Sequence, residues 1–393
     1  MSKRRRQENR YHRCGGEKRL RGRKHLYVVL DDWIKGFTIY KVDADSFGSD
    51  SDNYRDRTGG AKVAAAASAR HHLPEPPAAR LESMGADTDM FFTALGSSKI
   101  FIVTDQRRGQ TPALVYNACS GGLAIGPRVP AQLQCGFNFV VDAGEALYAF
   151  SSPRFNKDSS FQVMSWAPSA LDQLDANSRY PNEEVWAWRA LPGPPPPHDP
   201  YEIITSYAVH PDGHTIFMTT SYRDRPGLQK STYSFNTKHC VWRWHAWTLP
   251  FQGPGHFDTE LNVWVGLHKD GYVCACRVAS DSGSATPMSI GLMQLDWQKL
   301  EAKLFRKDRE RYIRASLTYM GSSKFCLLES VIRKGVDKDY SLNDQDGCVL
   351  HMTMFGLKYN HKGELRTTNL QSTRSYLVSK HKDYSFAPVA FWM

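Results

Sequence analysis

Apolar and β-branched runs recur along the chain in pairs, and each pair is joined by a short polar turn with glycine near its tip. This strand-turn-strand unit appears five times between Met90 and about residue 360. The first is Phe91–Val103, turning at Gly96-Ser97-Ser98, and the second is Phe137–Phe150, turning at Gly144. The third turns at Pro211-Asp212-Gly213 and the fourth at Lys269-Asp270-Gly271. The fifth, Tyr319–Leu328, nearly repeats the first through Gly321-Ser322-Ser323. Glycine suits these tips because tight hairpin turns require positive φ. A second pattern follows some units. Val185-Trp186-Ala187-Trp188 ends in Leu191-Pro192, and Val241-Trp242-Arg243-Trp244 ends in Leu249-Pro250. Leu114–Asn117 and Tyr233–Asn236 supply the strands before such edges.

An inner hairpin, a third strand and a Trp-bearing fourth strand form one blade of a β-propeller, and repetition of the unit is the signature of that fold. The pattern predicts an all-β chain forming a single β-propeller, with six blades of four antiparallel strands as the economical count. The five units leave strands at both chain ends. Tyr27–Val42 reads as a hairpin, and Glu364–Ser379 and Phe386–Trp392 as strands. Pairing the N-terminal hairpin with the C-terminal strands completes a sixth blade and removes exposed sheet edges. Leu295–Arg311 is the one candidate helix. Asp45–Asp89 is rich in Ser, Asp, Gly, Ala and Pro, with few large apolar residues to offset the entropy of ordering, and is expected to be a mobile loop. The domain division is therefore a disordered basic tail over 1–25 and a propeller over 26–393, interrupted by a loop at about 45–89.

The net charge of +10 suggests nucleic acid until it is located. Residues 1–24 hold eleven basic and two acidic residues, so the tail carries +9 and the rest of the chain +1. That distribution argues against a folded phosphate-binding surface. The tail's two clusters, Lys3, Arg4, Arg5 and Arg6, then Lys18, Arg19, Arg21, Arg23 and Lys24, have the form of a bipartite nuclear-import signal. A solvated polybasic arm that adheres to phosphates is the plainer reading of the same residues. The chain has no apolar run long enough to span a membrane, and its N-terminus has no secretory h-region. The expected address is nuclear or cytoplasmic.

The eight cysteines are scattered without a two-residue metal or redox spacing, and are expected to be reduced and partly buried. Cys274 and Cys276 fall on one strand face. No zincin motif, nucleophile elbow or Walker loop is present. His71-His72 lies in the expected loop. His210, His214, His245, His256 and His268 lie near turns or strand ends, where a propeller mouth could gather them with Asp212, Asp258 or Asp270. Dispersed loop histidines are more often solvated surface, so no catalytic, metal or cofactor residue is assigned. Pro194–Pro197 reads as a stiff link between blades in preference to a polyproline ligand. Trp186, Trp188, Trp242 and Trp244 read as packing between blades in preference to a stacking platform. No Leu-Pro-led helical module of F-box type precedes the first hairpin.

The sequence resembles a plant family, expanded in grasses, known as domain of unknown function 1668. The resemblance rests on Tyr27–Val42, Trp186–Pro192, Tyr207-Ala208-Val209, Tyr233-Ser234-Phe235, Trp247–Phe251, Trp264–Leu267 and Val378–Phe386. It implies a propeller of kelch or galactose-oxidase type and brings no activity. The basic tail, the Ala/Ser loop near residues 45–89 and the lack of a Gly-Gly doublet recurring from unit to unit, as kelch repeats have, depart from that pattern. The expected function is a non-catalytic protein-interaction module, monomeric, without cofactor and off the membrane, recognising a protein through aromatic or Arg side chains at blade mouths. The alternatives are an enzyme with a site at the propeller pore and a nucleic-acid-associated protein acting through its tail.

Overall fold

The computed structural model describes residues 23–32, 36–47, 71–82, 90–103, 112–133, 137, 139–144, 146–151, 160–168, 184–195, 202–222, 231–278, 295–336, 347–368, 371–379 and 386–393. Among them are strands, turns and two short 3-10 turns, at 44–47 and 131–133, and no helix long and apolar enough to cross a membrane.

The strands follow one another as antiparallel meanders. The first group is β1 (Leu26–Asp31), β2 (Phe37–Val42) and β3 (Ala79–Leu81), and the second is β4 (Phe91–Leu95), β5 (Lys99–Val103), β6 (Leu114–Asn117) and β7 (Leu123–Ile125). The third is β8 (Phe139–Ala143), β9 (Ala146–Ser151), β10 (Ser160–Pro168) and β11 (Glu184–Leu191). Next come β12 (Glu202–Val209), β13 (Thr215–Tyr222), β14 (Ser231–Asn236) and β15 (Val241–His245). These are followed by β16 (Gln252–Asp258), β17 (Val263–Leu267), β18 (Val273–Arg277) and β19 (Trp297–Lys299). The last meander is β20 (Tyr312–Gly321), β21 (Lys324–Ile332) and β22 (Cys348–Tyr359), with both β23 (Leu365–Thr367) and β24 (Ser372–Val378) on β22. Finally β25 (Val389–Trp392) runs antiparallel to β1, with Leu26 opposite Trp392 and Val29 opposite Val389. The N-terminal hairpin thus shares one sheet with the last C-terminal strand, as expected, whereas the strands within Glu364–Ser379, expected to join the same blade, pair with β22 instead. Among the described residues no sheet closes on itself.

A meander of this kind is the blade of a β-propeller, and its first strands lie side by side in chain order. β4 neighbours β8, β8 neighbours β12, β16 neighbours β20 and β20 neighbours β25. β12 and β16 go further and pair in parallel at Ser206–Gly253, Tyr207–Pro254 and Ala208–Gly255. The apolar core lies between successive sheets, because strand residues of both parities are buried. Phe101, Val103, Leu147 and Met164 fill the layer between the second and third meanders. Phe139, Phe150, Phe161, Tyr233 and Phe235 fill the next one. Each fully buried side chain of this size contributes roughly 1.5–3 kcal/mol.

Hydrogen bonds tie each meander to the next. Tyr27 donates to the Ala118 carbonyl at 3.0 Å, the Gly96 amide to Asp142 Oδ2 at 2.7 Å, and the Trp242 indole to the Pro192 carbonyl at 2.7 Å. The Trp264 indole donates to the Val209 carbonyl at 2.8 Å, the Ser323 hydroxyl to Asp258 Oδ1 at 3.0 Å, and the Thr318 hydroxyl to the Ala390 carbonyl at 3.0 Å.

Three further sequence expectations require correction. The unit turning at Lys269–Gly271 is the second-to-third hairpin of its meander, β17–β18, and not the first-to-second one. The true first strand is β16, whose Gln-Gly-Pro-Gly opening has little intrinsic strand preference. Parallel pairing with β12 and the approach of Phe251 hold it in place. The Phe251 ring lies where a side chain on Gly255 or Gly266 would sit. Second, part of the expected mobile loop is ordered. Residues 71–82 bury Leu73 and Leu81 and form β3, and His71 bridges to Tyr376. Residues 48–70 and 83–89, including the alanine run, lie outside the described residues. Third, the candidate helix over Leu295–Arg311 is β19 followed by an irregular segment that buries Leu300, Leu304 and Phe305.

Candidate functional site

The first-to-second turns carry many of the polar groups expected at a propeller mouth, and those groups are committed to their own turns. After β12 the chain reads His210-Pro211-Asp212-Gly213-His214, a composition that favours an aspartate-capped turn. Asp212 Oδ1 accepts the amides of His214 at 2.7 Å and Thr215 at 2.9 Å, and Oδ2 accepts the Thr215 hydroxyl at 2.8 Å. His210 Nδ1 accepts the Asp212 amide at 3.2 Å. Burial pushes the Asp212 carboxyl up, but these donors and His210 outweigh it and hold the group below its usual range. Asp258 closes the β16–β17 turn, where Oδ1 takes the amides of Glu260 at 3.0 Å and Leu261 at 2.8 Å besides the Ser323 hydroxyl. Its buried Oδ2 has no partner among the described residues.

The remaining predicted histidines are dispersed. His256 donates to the Leu317 carbonyl at 2.8 Å, and burial lowers its pKa despite that bond. His245 Nε2 meets the Ser234 hydroxyl at 2.8 Å. His268 and Asp270 belong to the second-to-third turn of their meander, at the opposite strand ends, where His268 stacks on Trp297. Among the described residues no three His, Cys, Asp or Glu side chains assemble as metal ligands.

A different polar cluster lies on the β20–β24 sheet. On the face turned toward β16–β19, one half is apolar: Leu317, Phe325, Leu327, Phe355 and Leu357 pack on Val263, Val265 and Val273. Further along the same face the register brings Glu329 opposite His351 and His351 opposite Ser375, with Thr353 opposite Thr373. The 304–311 segment lies over this half and leaves a cavity of about 250 Å³, lined in part by Lys307, Arg311, Glu329, His351, Thr353 and Thr373. Gly271 helps to set that segment in place. It sits at φ +95°, and a Cβ there would collide with Lys303 and the Phe305 carbonyl.

Glu329, His351, Thr353, Thr373 and Arg311 are each held by a hydrogen bond. Glu329 is only 9% exposed, and its Oε1 accepts the Arg306 amide at 2.6 Å. Burial raises its pKa against the opposing pull of that amide and Lys307. His351 Nδ1 meets the Ser375 hydroxyl at 2.8 Å, and the Thr353 and Thr373 hydroxyls meet at 2.9 Å. Burial first, then Arg311 and Lys307, hold the imidazole below its usual range. Arg311 is fixed by donating Nε to the Ile332 carbonyl at 2.7 Å and by Asp308 at 3.4 Å. The cavity wall therefore presents two carboxyls, Glu329 and Asp308, an imidazole, two hydroxyls and two cations, Lys307 and Arg311.

Of the tail residues, Lys3, Arg4, Arg5, Arg6, Lys18, Arg19 and Arg21 lie outside the described residues. Lys24 is exposed, whereas Arg23 pairs with Asp43 at 2.8 Å and Asp45 at 2.9 Å. Arg23 is thus attached to the folded part, three residues before β1. Cys274, Cys276, Cys326 and Cys348 are buried free thiols, and Cys119 and Cys240 are exposed free thiols. Cys274 and Cys276 share one core layer, as their spacing required, and burial pushes the Cys274 thiol up to about 12. Cys14 and Cys135 lie outside the described residues. Trp188 packs on Phe101, and Trp242 on Phe161 and Phe235, between meanders as expected. Trp244 departs from that reading and is exposed. Pro194 and Pro195 follow β11, while Pro196 and Pro197 lie outside the described residues.

Several solved structures are similar to this chain. A periplasmic gluconolactonase of Pseudomonas aeruginosa matches at 12% identity and TM-score 0.38, covering 94% of this chain and 99% of that one. A Cellvibrio cellulosa alpha-L-arabinanase matches at 11% and 0.34, covering 71% and 94%. The Cps50 (Swd1) beta-propeller domain of Myceliophteria thermophila matches at 9% and 0.32, covering 71% and 88%. Among curated proteins none matches the sequence. The family described as Protein of unknown function (DUF1668) matches residues 23–376, and with that span covered the chain belongs to this family.

Proposed function

We propose that the chain is a non-catalytic protein-interaction module: a six-bladed propeller of kelch kind, monomeric, whose basic tail directs it to the nucleus. What supports the six-bladed count is six antiparallel groups in chain order, five of four strands and the last of five, with β25 and β1 bringing the chain ends into one sheet. The observation that carries the interaction reading is the state of the outermost strands. β7 ends its sheet with Leu123 49% and Ile125 79% exposed, and β15 ends its sheet with Val241 48% and Trp244 45% exposed. Open strand edges with apolar side chains are sites where another chain can bind, and Trp contributes disproportionately to such contacts. The carboxylates at the hairpin tips, which a pore enzyme would use, are engaged in turn capping.

The test is affinity capture with mass spectrometry, using the full chain beside a variant in which the basic residues at 3–6 and 18–21 are replaced by alanine. Retention of the same specific proteins supports the module reading. A tail that binds phosphates would instead make recovery depend on the tail and fall steeply with salt.

A further inference from the structure

We infer that the cavity beside Glu329 and His351 is a binding site for a protonated phosphoryl group, that is, inorganic hydrogen phosphate or a phosphate monoester. This does not depend on the interaction reading above. Its first support is the placement of charge. The sheet face is apolar over Phe325, Leu327 and Phe355, then turns polar where the 304–311 segment covers it. Burying Glu329, His351 and Thr353 there costs free energy that apolar residues would not incur. Structural need accounts for part of the set: Oε1 of Glu329 holds the Arg306 amide, and Arg311 holds the Ile332 carbonyl. It does not account for the rest. Lys307 is exposed, and no ion pair is formed by it among the described residues. His351 uses Nδ1 on Ser375 and presents no second bond among the described residues.

The second support is the match of donors and acceptor. The charged groups facing His351 and Glu329 are Lys303, Lys307, Asp308 and Arg311 from the covering segment. With Asp308 against Arg311, Lys307 remains at the cavity wall to attract an anion, with Lys303 further along the segment. The Thr353 and Thr373 hydroxyls are bonded to each other, which leaves one O–H to donate at the cavity wall. Glu329 selects among anions. A carboxylate repels a fully ionised oxyanion and can only accept hydrogen bonds, so the ligand must bring an O–H of its own. A phosphate monoester, with its second ionisation near neutrality, has one, whereas sulfate does not. The imidazole of His351, neutral in the empty site, can take up a proton as the anion enters.

The test is isothermal titration calorimetry of the full chain at neutral pH with inorganic phosphate, glycerol phosphate and sulfate. Saturable phosphate binding is expected, with sulfate weaker by about tenfold or more, the equivalent of one charge-assisted hydrogen bond. Tighter binding of glycerol phosphate than of inorganic phosphate would identify a monoester as the ligand; the reverse would identify the free ion. Glu329→Gln should bring sulfate and phosphate to equal affinity. Lys307→Ala, at an exposed position, should weaken phosphate about tenfold with an unchanged melting temperature. No saturable heat with either phosphate, or equal binding of sulfate by the natural chain, would overturn the proposal.

Discussion

The polar residues of this protein fall into two groups with opposite electrostatic fates. At the β12–β13 tip, Asp212 is surrounded by donors on its own turn, which hold its carboxyl below the usual range. On the β20–β24 sheet, Glu329 receives one backbone amide, and burial raises its carboxyl. Both are acidic side chains, one in a hairpin turn and one within a strand. The first stabilises the fold as a carboxylate, and the second is a carboxylate only at a cost to the fold. Aspartate three residues into a hairpin turn is a structural device, whereas a buried glutamate facing histidine across a strand pair marks a place where stability is given up.

The largest effect that would sharpen this contrast is at the support of the tip. Trp264 is fully buried, packs on Phe217 and donates to the Val209 carbonyl beside His210. Trp264→Ala should cost about 3–5 kcal/mol in chemical denaturation. A loss below ~1 kcal/mol would mean that the tip does not depend on its neighbour. Asp212→Ala removes the turn's acceptors and should cost about 1–2 kcal/mol at neutral pH. Because the folded pKa is depressed, the aspartate's contribution is present above its ordinary value of 3.8 and is lost as pH falls through the folded value. The difference between variant and natural chain should therefore narrow under acid, and a difference constant with pH would break the argument.

Smaller effects belong to the cavity. His351 is held neutral, so below its ordinary pKa of 6.5 the unfolded chain takes up the proton first and stability declines as pH falls. Melting curves across that window should show a shallower decline for His351→Gln than for the natural chain, and parallel curves would remove His351 from the explanation. Glu329→Gln should have the smallest effect and the opposite sign to Asp212→Ala. The raised folded pKa means that the acid's favourable contribution is complete below 4.5 and is lost as pH rises through the folded value. At neutral pH the glutamine variant should match or exceed the natural chain by up to about 1 kcal/mol, and a clear drop in melting temperature would contradict the assignment.

Much of the architecture was legible because local pattern and global fold agree. Glycine-tipped hairpins, Trp-bearing outer strands at Val185–Leu191 and Val241–His245, and the terminal strands all stand where alternation put them. What failed had a physical cause. β16 contains Gly253, Pro254 and Gly255 and is held by parallel pairing, a non-local force that no local propensity encodes. β3 is three residues long in a composition that reads as a loop, and it exists because β2 offers it an edge. The cavity was harder to see. Glu329 interrupts the apolar run Phe325–Ile332, and that was its one signal. His351 and Thr353 simply continue an alternation that reads as a solvated face. Only the covering 304–311 segment makes that face a cleft, and its sequence read as a helix.

The account turns on the claim that outer strand edges, and not hairpin tips, bind partners. Its most direct test is quantitative capture with mass spectrometry from the natural chain, a Leu123→Asp/Ile125→Asp edge variant and the Asp212→Ala tip variant, each checked for folding. The account predicts that the edge variant, with an unchanged melting temperature, loses partners that the tip variant keeps. Full recovery by the edge variant, with loss confined to the tip variant, would contradict it.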